Sequence, residues 1–150
     1  VSAGNERQQA VQQHWATAQM GIFAAAVSDY RPEQVSEQKI KKSEESLTVN
    51  LVKNPDILFW AGTQKKEDQL LVGFALETNN LLENGTAKLN KKNLNCIVLN
   101  TLQDTGAGFG VDTNKISILD NYNNLKEYEL KSKAGVAIDI ADYLKNYAIK

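Results

Sequence analysis

The chain holds one cysteine, one histidine and no long apolar run, and each shortage excludes a class of function. Cys96 has no partner within the chain, so no internal disulfide can close, which fits a reducing compartment. His14 stands alone, so there is no His/Cys cluster for a metal, and any Ser/His/Asp triad would depend on that one residue. The longest apolar stretch, Gly21 to Val27, falls far short of the roughly 20 residues a membrane helix needs, and no membrane partner is expected. Charge of one sign is also missing. Seventeen Lys and Arg against 18 Asp and Glu give a net charge of -1, which offers no global pull on nucleic acid. Basic and aromatic residues do not interleave, so no nucleic-acid partner is expected. No GxxxxGK[ST] is present, which excludes a P-loop. Gly106-Ala-Gly-Phe-Gly110 has dinucleotide-loop glycines but precedes a strand rather than opening a helix.

What is present describes one domain. A chain of 150 residues that is 42% hydrophobic and 23% charged can bury a real core. It opens at Val1, just before an apparent helix, and reads as a piece of a longer protein or one processed at its front. Glu6 to Trp15 predicts that helix, with Asn5 as cap. Gly21 to Ala25 predicts a buried strand, and Ala26 to Gln38 a long loop. Leu47, Val49 and Leu51 alternate with polar residues as in a half-buried strand. Asn54-Pro55-Asp56 predicts a helix start, with Asn54 capping and Pro55 in the first turn. Gln69 to Leu76 is a continuous apolar run, as in a central strand covered on both faces. A helix over Thr78 to Lys91, a strand over Cys96 to Leu99 and a glycine-rich loop from Asp104 to Asn114 follow. Ile116 to Leu119 and Leu125 to Leu130 predict a hairpin. Ser132 caps a last helix that buries Val136, Ile140, Tyr143, Leu144 and Tyr147. Strands alternating with helices point to an α/β fold of three layers, α/β/α, with a mostly parallel sheet and an antiparallel C-terminal hairpin.

The chemistry gathers where strands end. Asp29 closes an apolar run, and Lys39, Lys41 and Lys42 follow on the next loop. Lysines neutralise phosphate oxygens as point charges, while a carboxylate can hold Mg²⁺. Lys53-Asn54-Pro55-Asp56 brings a helix N-terminus, a natural anion site. Phe74 lies on the central strand. Lys88 and Lys92, four residues apart on one helical face, repel each other unless an anion lies between them. In an α/β sheet these segments meet at the carboxyl ends of the strands, where ligands bind. The expectation is a lysine-rich cleft around one metal-bound polyphosphate. Cys96, on a buried strand, reads as core.

AAAVSDYRP, QKIKK, LVKNPDIL, LLVGFALETNN and KKNLNCIVLN, in this order and spacing, resemble phosphopantothenate–cysteine ligase over essentially the whole chain. In bacteria that family is usually the C-terminal domain of a bifunctional coenzyme A biosynthesis protein, behind a flavin-dependent decarboxylase domain. The resemblance implies a Rossmann-like fold, a cytoplasmic homodimer and no FMN in this domain. It implies a ligase that activates 4′-phosphopantothenate with CTP (or ATP) and Mg²⁺ as an acyl-nucleotidylate, releases pyrophosphate, and lets the cysteine amine attack. By motif, Ala24, Ala25, Asp29, Lys39, Lys53, Asn54, Pro55, Asp56, Phe74, Lys88 and Lys92 are the nucleotide contacts. Asp29 is also the metal ligand, and Lys39 the catalytic residue. Family members begin with a glycine-rich strand and loop and an Asn/Ser-rich segment that have no counterpart in these residues, so little of the phosphopantothenate side is expected here. The other reading is a non-catalytic nucleotide-binding or dimerisation module of the same fold.

Overall fold

The computed structural model describes residues 4–34, 36, 38–40, 46–77, 79–101 and 110–148. Two apolar strands lie at its centre. β4 (Leu70–Glu77) and β5 (Cys96–Thr101) pair in parallel, with Val72 opposite Cys96 and Phe74 opposite Val98. β1 (Met20–Phe23) adds to β4 in parallel; β7 (Ser117–Asp120) and β8 (Leu125–Glu127) extend the β5 side as an antiparallel hairpin. The sheet order is therefore β1-β4-β5-β7-β8.

Side chains alternate across a strand, so each strand feeds two cores. On one face Leu71, Ala75, Ile97, Leu99 and Leu119 pack with Trp15, Ala61 and Leu89. These last three come from α1 (Gly4–Trp15), α2 (Ile57–Gln64) and α3 (Leu81–Lys91). On the other face Val72, Cys96, Val98 and Ile118 meet Val136, Ile140 and Leu144 of α4 (Lys133–Ala148). Those three α4 residues recur every four positions, the spacing of one helical stripe. The three expected layers are all present, and Ser132 Oγ accepts the Gly135 N–H at 3.1 Å as the expected cap.

Differences from expectation lie outside this core. β1 spans Met20–Phe23 rather than running to Ala25, which leaves Ala24 and Ala25 just past its end. The stretch read as a loop contains β2 (Tyr30–Pro32), paired antiparallel with β3 (Leu51–Lys53) as a separate two-stranded arm. Leu47 and Val49 precede that strand, and with Leu51 they are exposed rather than half-buried. α3 begins at Leu81, and Thr78, the expected start, is outside the described residues. A short pair, β6 (Thr113–Asn114) with β9 (Lys131–Ser132), joins the approach to β7 with the start of α4. Residues 102–109, with most of the glycine-rich stretch, are also outside. Among the described residues the outer edge of β1 is unpaired, and Met20 and Ile22 stand exposed along it.

Candidate functional site

A cleft of about 710 Å³ opens at the carboxyl ends of β1 and β4 and continues along β1. Its polar end is built by four segments. The stretch after β1 brings Ala24, Ala25 and Asp29; the approach to α2 brings Asn54, Pro55 and Asp56; β4 brings Phe74; α3 and its C-cap bring Lys88 and Lys92. Lys39 and Lys53 are not on the cleft wall. Lys39 is exposed on the segment between β2 and β3, and Lys53 ends β3, its carbonyl accepting from Arg31 Nη1 at 2.9 Å. Lys41 and Lys42 are outside the described residues.

Asp56, not Asn54, caps α2. Its Oδ1 accepts the Phe59 N–H at 3.0 Å, and its backbone is extended (φ -81, ψ 93). Pro55 precedes the cap instead of sitting in the first turn. Asn54 is left to tie two segments together. Its backbone N–H donates to the Asp29 carbonyl at 2.8 Å, its Nδ2 donates to the Ser28 carbonyl at 2.7 Å, and its Oδ1 accepts from Arg31 Nη1 at 3.2 Å. The loop that carries Asp29 is thereby fastened to the start of α2.

The two helix lysines do not wait for an external anion. Lys92 Nζ lies 2.9 Å from Asp56 Oδ2, and Lys88 Nζ lies 2.5 Å from Glu77 Oε1. Partial burial pushes the Asp56 carboxyl up, but Lys92, the Phe59 N–H and the charge of Lys91 outweigh it, so it ionises below the usual carboxylate range. The anion site expected at the N-terminus of α2 is therefore already filled by a carboxylate and its counter-ion. The sequence places Glu77 at a strand end but assigns it no role of its own. It ends β4, its Oε2 accepts from Asn84 Nδ2 at 3.0 Å, and Asn84 and Lys88 are one turn apart on α3, which is the signal that could have found it.

Asp29 is the acid on this wall whose carboxylate has no side-chain partner among the described residues. No group of three or more His, Cys, Asp or Glu able to hold a metal occurs among them. Mg²⁺ typically takes one or two protein carboxylates and completes its shell with phosphates and water, so Asp29 beside a polyphosphate suits it. Arg7 and His14, on α1, also line the cleft. Cys96 is fully buried, and burial followed by the nearby Asp120 charge pushes its thiol up to about 12. It belongs to the core.

Residues 1–147 match the DNA/pantothenate metabolism flavoprotein C-terminal domain. The chain belongs to this family. Among its relatives, the Coenzyme A biosynthesis bifunctional protein CoaBC of Bacillus subtilis (strain 168) is 37% identical over 140 residues, 93% of this chain and 34% of that protein. A protein named Cysteine/Cysteine sulfinic acid decarboxylase, from an unknown prokaryotic organism, is 45% identical over 140 residues, 93% of this chain and 39% of its own length. The chain thus spans little more than a third of these curated relatives. The crystal structure of the C-terminal domain of Coenzyme A biosynthesis bifunctional protein CoaBC superposes with a TM-score of 0.75 at 33% identity, over 96% of this chain and 62% of that one. The family's α/β fold with a mixed sheet is the fold found here, and none of the helices described is long and apolar enough to cross a membrane.

Proposed function

We propose that this chain carries the nucleotide side of a phosphopantothenate–cysteine ligase acting in coenzyme A biosynthesis in the cytoplasm. One observation carries the reading: Asp29, Asp56, Lys88 and Lys92 share a single cleft at the strand ends of a chain of this family. A nucleoside triphosphate, CTP in the first instance, lies with its phosphates between α3 and the Asp29 loop, and its base end reaches Ala24, Ala25 and Phe74. Asp29 would hold Mg²⁺, which would supply charge neutralisation to the pyrophosphate leaving group. Lys88 and Lys92 clamp the phosphate chain. Holding the pantothenate carboxylate against the α-phosphate removes much of the entropic barrier to the acyl-nucleotidylate. A fixed ammonium stabilises charge there as pyrophosphate leaves, and Lys39 is assigned that role. Lys39 does not line the cleft, so this assignment rests on the motif alone. The cysteine amine then attacks the activated carbonyl, forming the amide as the acyl–phosphate bond breaks and the nucleoside monophosphate leaves, with the amine's proton passing to solvent. A homodimer belongs to the same reading, and the exposed Leu47, Val49 and Leu51 of the arm offer it an apolar surface. A decarboxylase domain in the same polypeptide, as in the bifunctional relatives, belongs to it as well.

The test is calorimetry with CTP and ATP in the presence and absence of Mg²⁺. The Asp29→Asn variant is expected to lose about tenfold in Mg²⁺–nucleotide affinity, the scale of one charge-assisted contact. Unchanged affinity would remove Asp29 from the site. Pyrophosphate release that depends on phosphopantothenate, measured on a polypeptide extended forward as in the relatives, separates a ligase from a module that only binds nucleotide or dimerises.

A further inference from the structure

The position of Lys92 is set from α2, by a contact that has no tolerance. A Cβ placed on Gly62 would stand 1.9 Å from the Lys92 carbonyl oxygen and 2.9 Å from its carbonyl carbon, against a floor of 3.0 Å for such contacts. Both partners are backbone, so no side chain can turn aside. Two hydrogen bonds fix the same junction. Asn93 Nδ2 donates to the Gly62 carbonyl at 2.9 Å, and Lys65 Nζ donates to the Asn93 carbonyl at 2.7 Å. Lys92 is the C-cap residue of α3, and from there its side chain runs back along α2 to the cap carboxylate of Asp56.

We infer that Gly62 is a positioning residue for the cleft, holding the end of α3 close enough to α2 for the Lys92 ammonium to stand at the polyphosphate site. This rests on the nucleotide reading above, and it names a residue that touches no ligand. Any side chain at 62 must push the backbones of α2 and the end of α3 apart by about 1.1 Å (3.0 less 1.9), enough to weaken a charge-assisted contact made through Lys92.

The experiment measures binding of inorganic tripolyphosphate and of Mg²⁺–CTP to this chain, at a temperature where every variant is folded. Gly62→Ala is expected to lose roughly tenfold in affinity, close to the loss on Lys92→Gln, the worth of one charge-assisted contact. In the Lys92→Gln background Gly62→Ala is expected to add less than twofold. Leu144→Ala, which opens a cavity under α4 on the opposite face, is the control for lost stability and is expected to leave affinity unchanged. If Gly62→Ala cannot be folded, Asn93→Gly removes the bond to Gly62 without backbone strain, since Asn93 already has φ 52, and the same coupling to Lys92 is expected at smaller size. Wild-type affinity in the Gly62 variant, additive losses in the double variant, or an equal loss in Leu144→Ala would each overturn the inference alone. Failure of the wild-type chain to bind either ligand would instead remove the nucleotide reading, and the inference with it.

Discussion

Asp120 ends β7, is 1% exposed, and ought to make this fold sensitive to acid. Its Oδ1 accepts the backbone N–H groups of Tyr122 (3.0 Å) and Asn124 (2.8 Å); its Oδ2 accepts from Asn124 Nδ2 (3.0 Å) and Tyr143 Oη (3.1 Å). One carboxylate thus closes the β7–β8 turn and ties it to α4. Burial pushes its pKa up, but those four donors outweigh burial and hold it below the usual range. A carboxyl depressed in the folded state adds stability that is fully present above its unfolded value, about 3.9, and is lost as pH falls through the folded value. Asp120→Ala strands the Tyr143 hydroxyl and two turn N–H groups. The turn is open to water, so those N–H groups cost less than buried ones. About 3 kcal/mol at pH 7 is the sum expected, mostly from Tyr143 and the lost charge-assisted bonds. Asp120→Asn can keep the two turn N–H groups on its carbonyl, but its amide faces Asn124 Nδ2, donor against donor, so about 1–2 kcal/mol is expected. The assay is urea unfolding at a series of pH values from 7 down to 2, comparing midpoints at constant m. The gap between wild type and Asp120→Asn is expected to close as pH drops below 4. A gap that stays constant to pH 2 would refute the assignment of this carboxylate as an ionised, stabilising group.

Two further outcomes are expected. Cys96, whose thiol is pushed up to about 12 by burial and by Asp120, is expected to resist disulfide-exchange reagents at pH 8 in the native chain and to react at once in denaturant; labelling that matches a free thiol in native buffer would contradict its place in the core. Asn54→Ala removes the side-chain bonds to Ser28 and Arg31, so amide exchange at Glu33 and Asn54, which pair with Asn50 and Asp29, is expected to speed up about tenfold while β4 is unaffected; equal rates would show that the arm is fastened elsewhere.

The sequence made the core readable because its rules are short-range. The apolar run of β4, the β5 strand and the four-residue stripe of α4 each state their own burial, and the strands do feed both cores. The arm was misread for the same reason. Alternation at Leu47, Val49 and Leu51 normally means one buried face, yet here all three are exposed and only Leu51 enters a strand. Nothing within a few residues says whether a patterned face has something to pack on. The site divides along the same line. Asp29 and the Asn54–Asp56 segment sit on the cleft as their local signals suggest, although Pro55 suits the position before a cap as well as the first turn, so the cap went to the wrong residue. Lys39 is ten residues from Asp29 yet does not line the cleft, since β2 intervenes and closeness along a chain need not mean closeness in space. Glu77 and Lys88 are eleven residues apart, and Asp56 and Lys92 are thirty-six apart. Neither pairing follows from helix geometry alone. Counting two lysines on one helical face therefore overstates how positive the cleft is: both ammoniums are paired across elements, by the acids at the end of β4 and the start of α2, and under the proposed function a phosphate chain would have to compete with both.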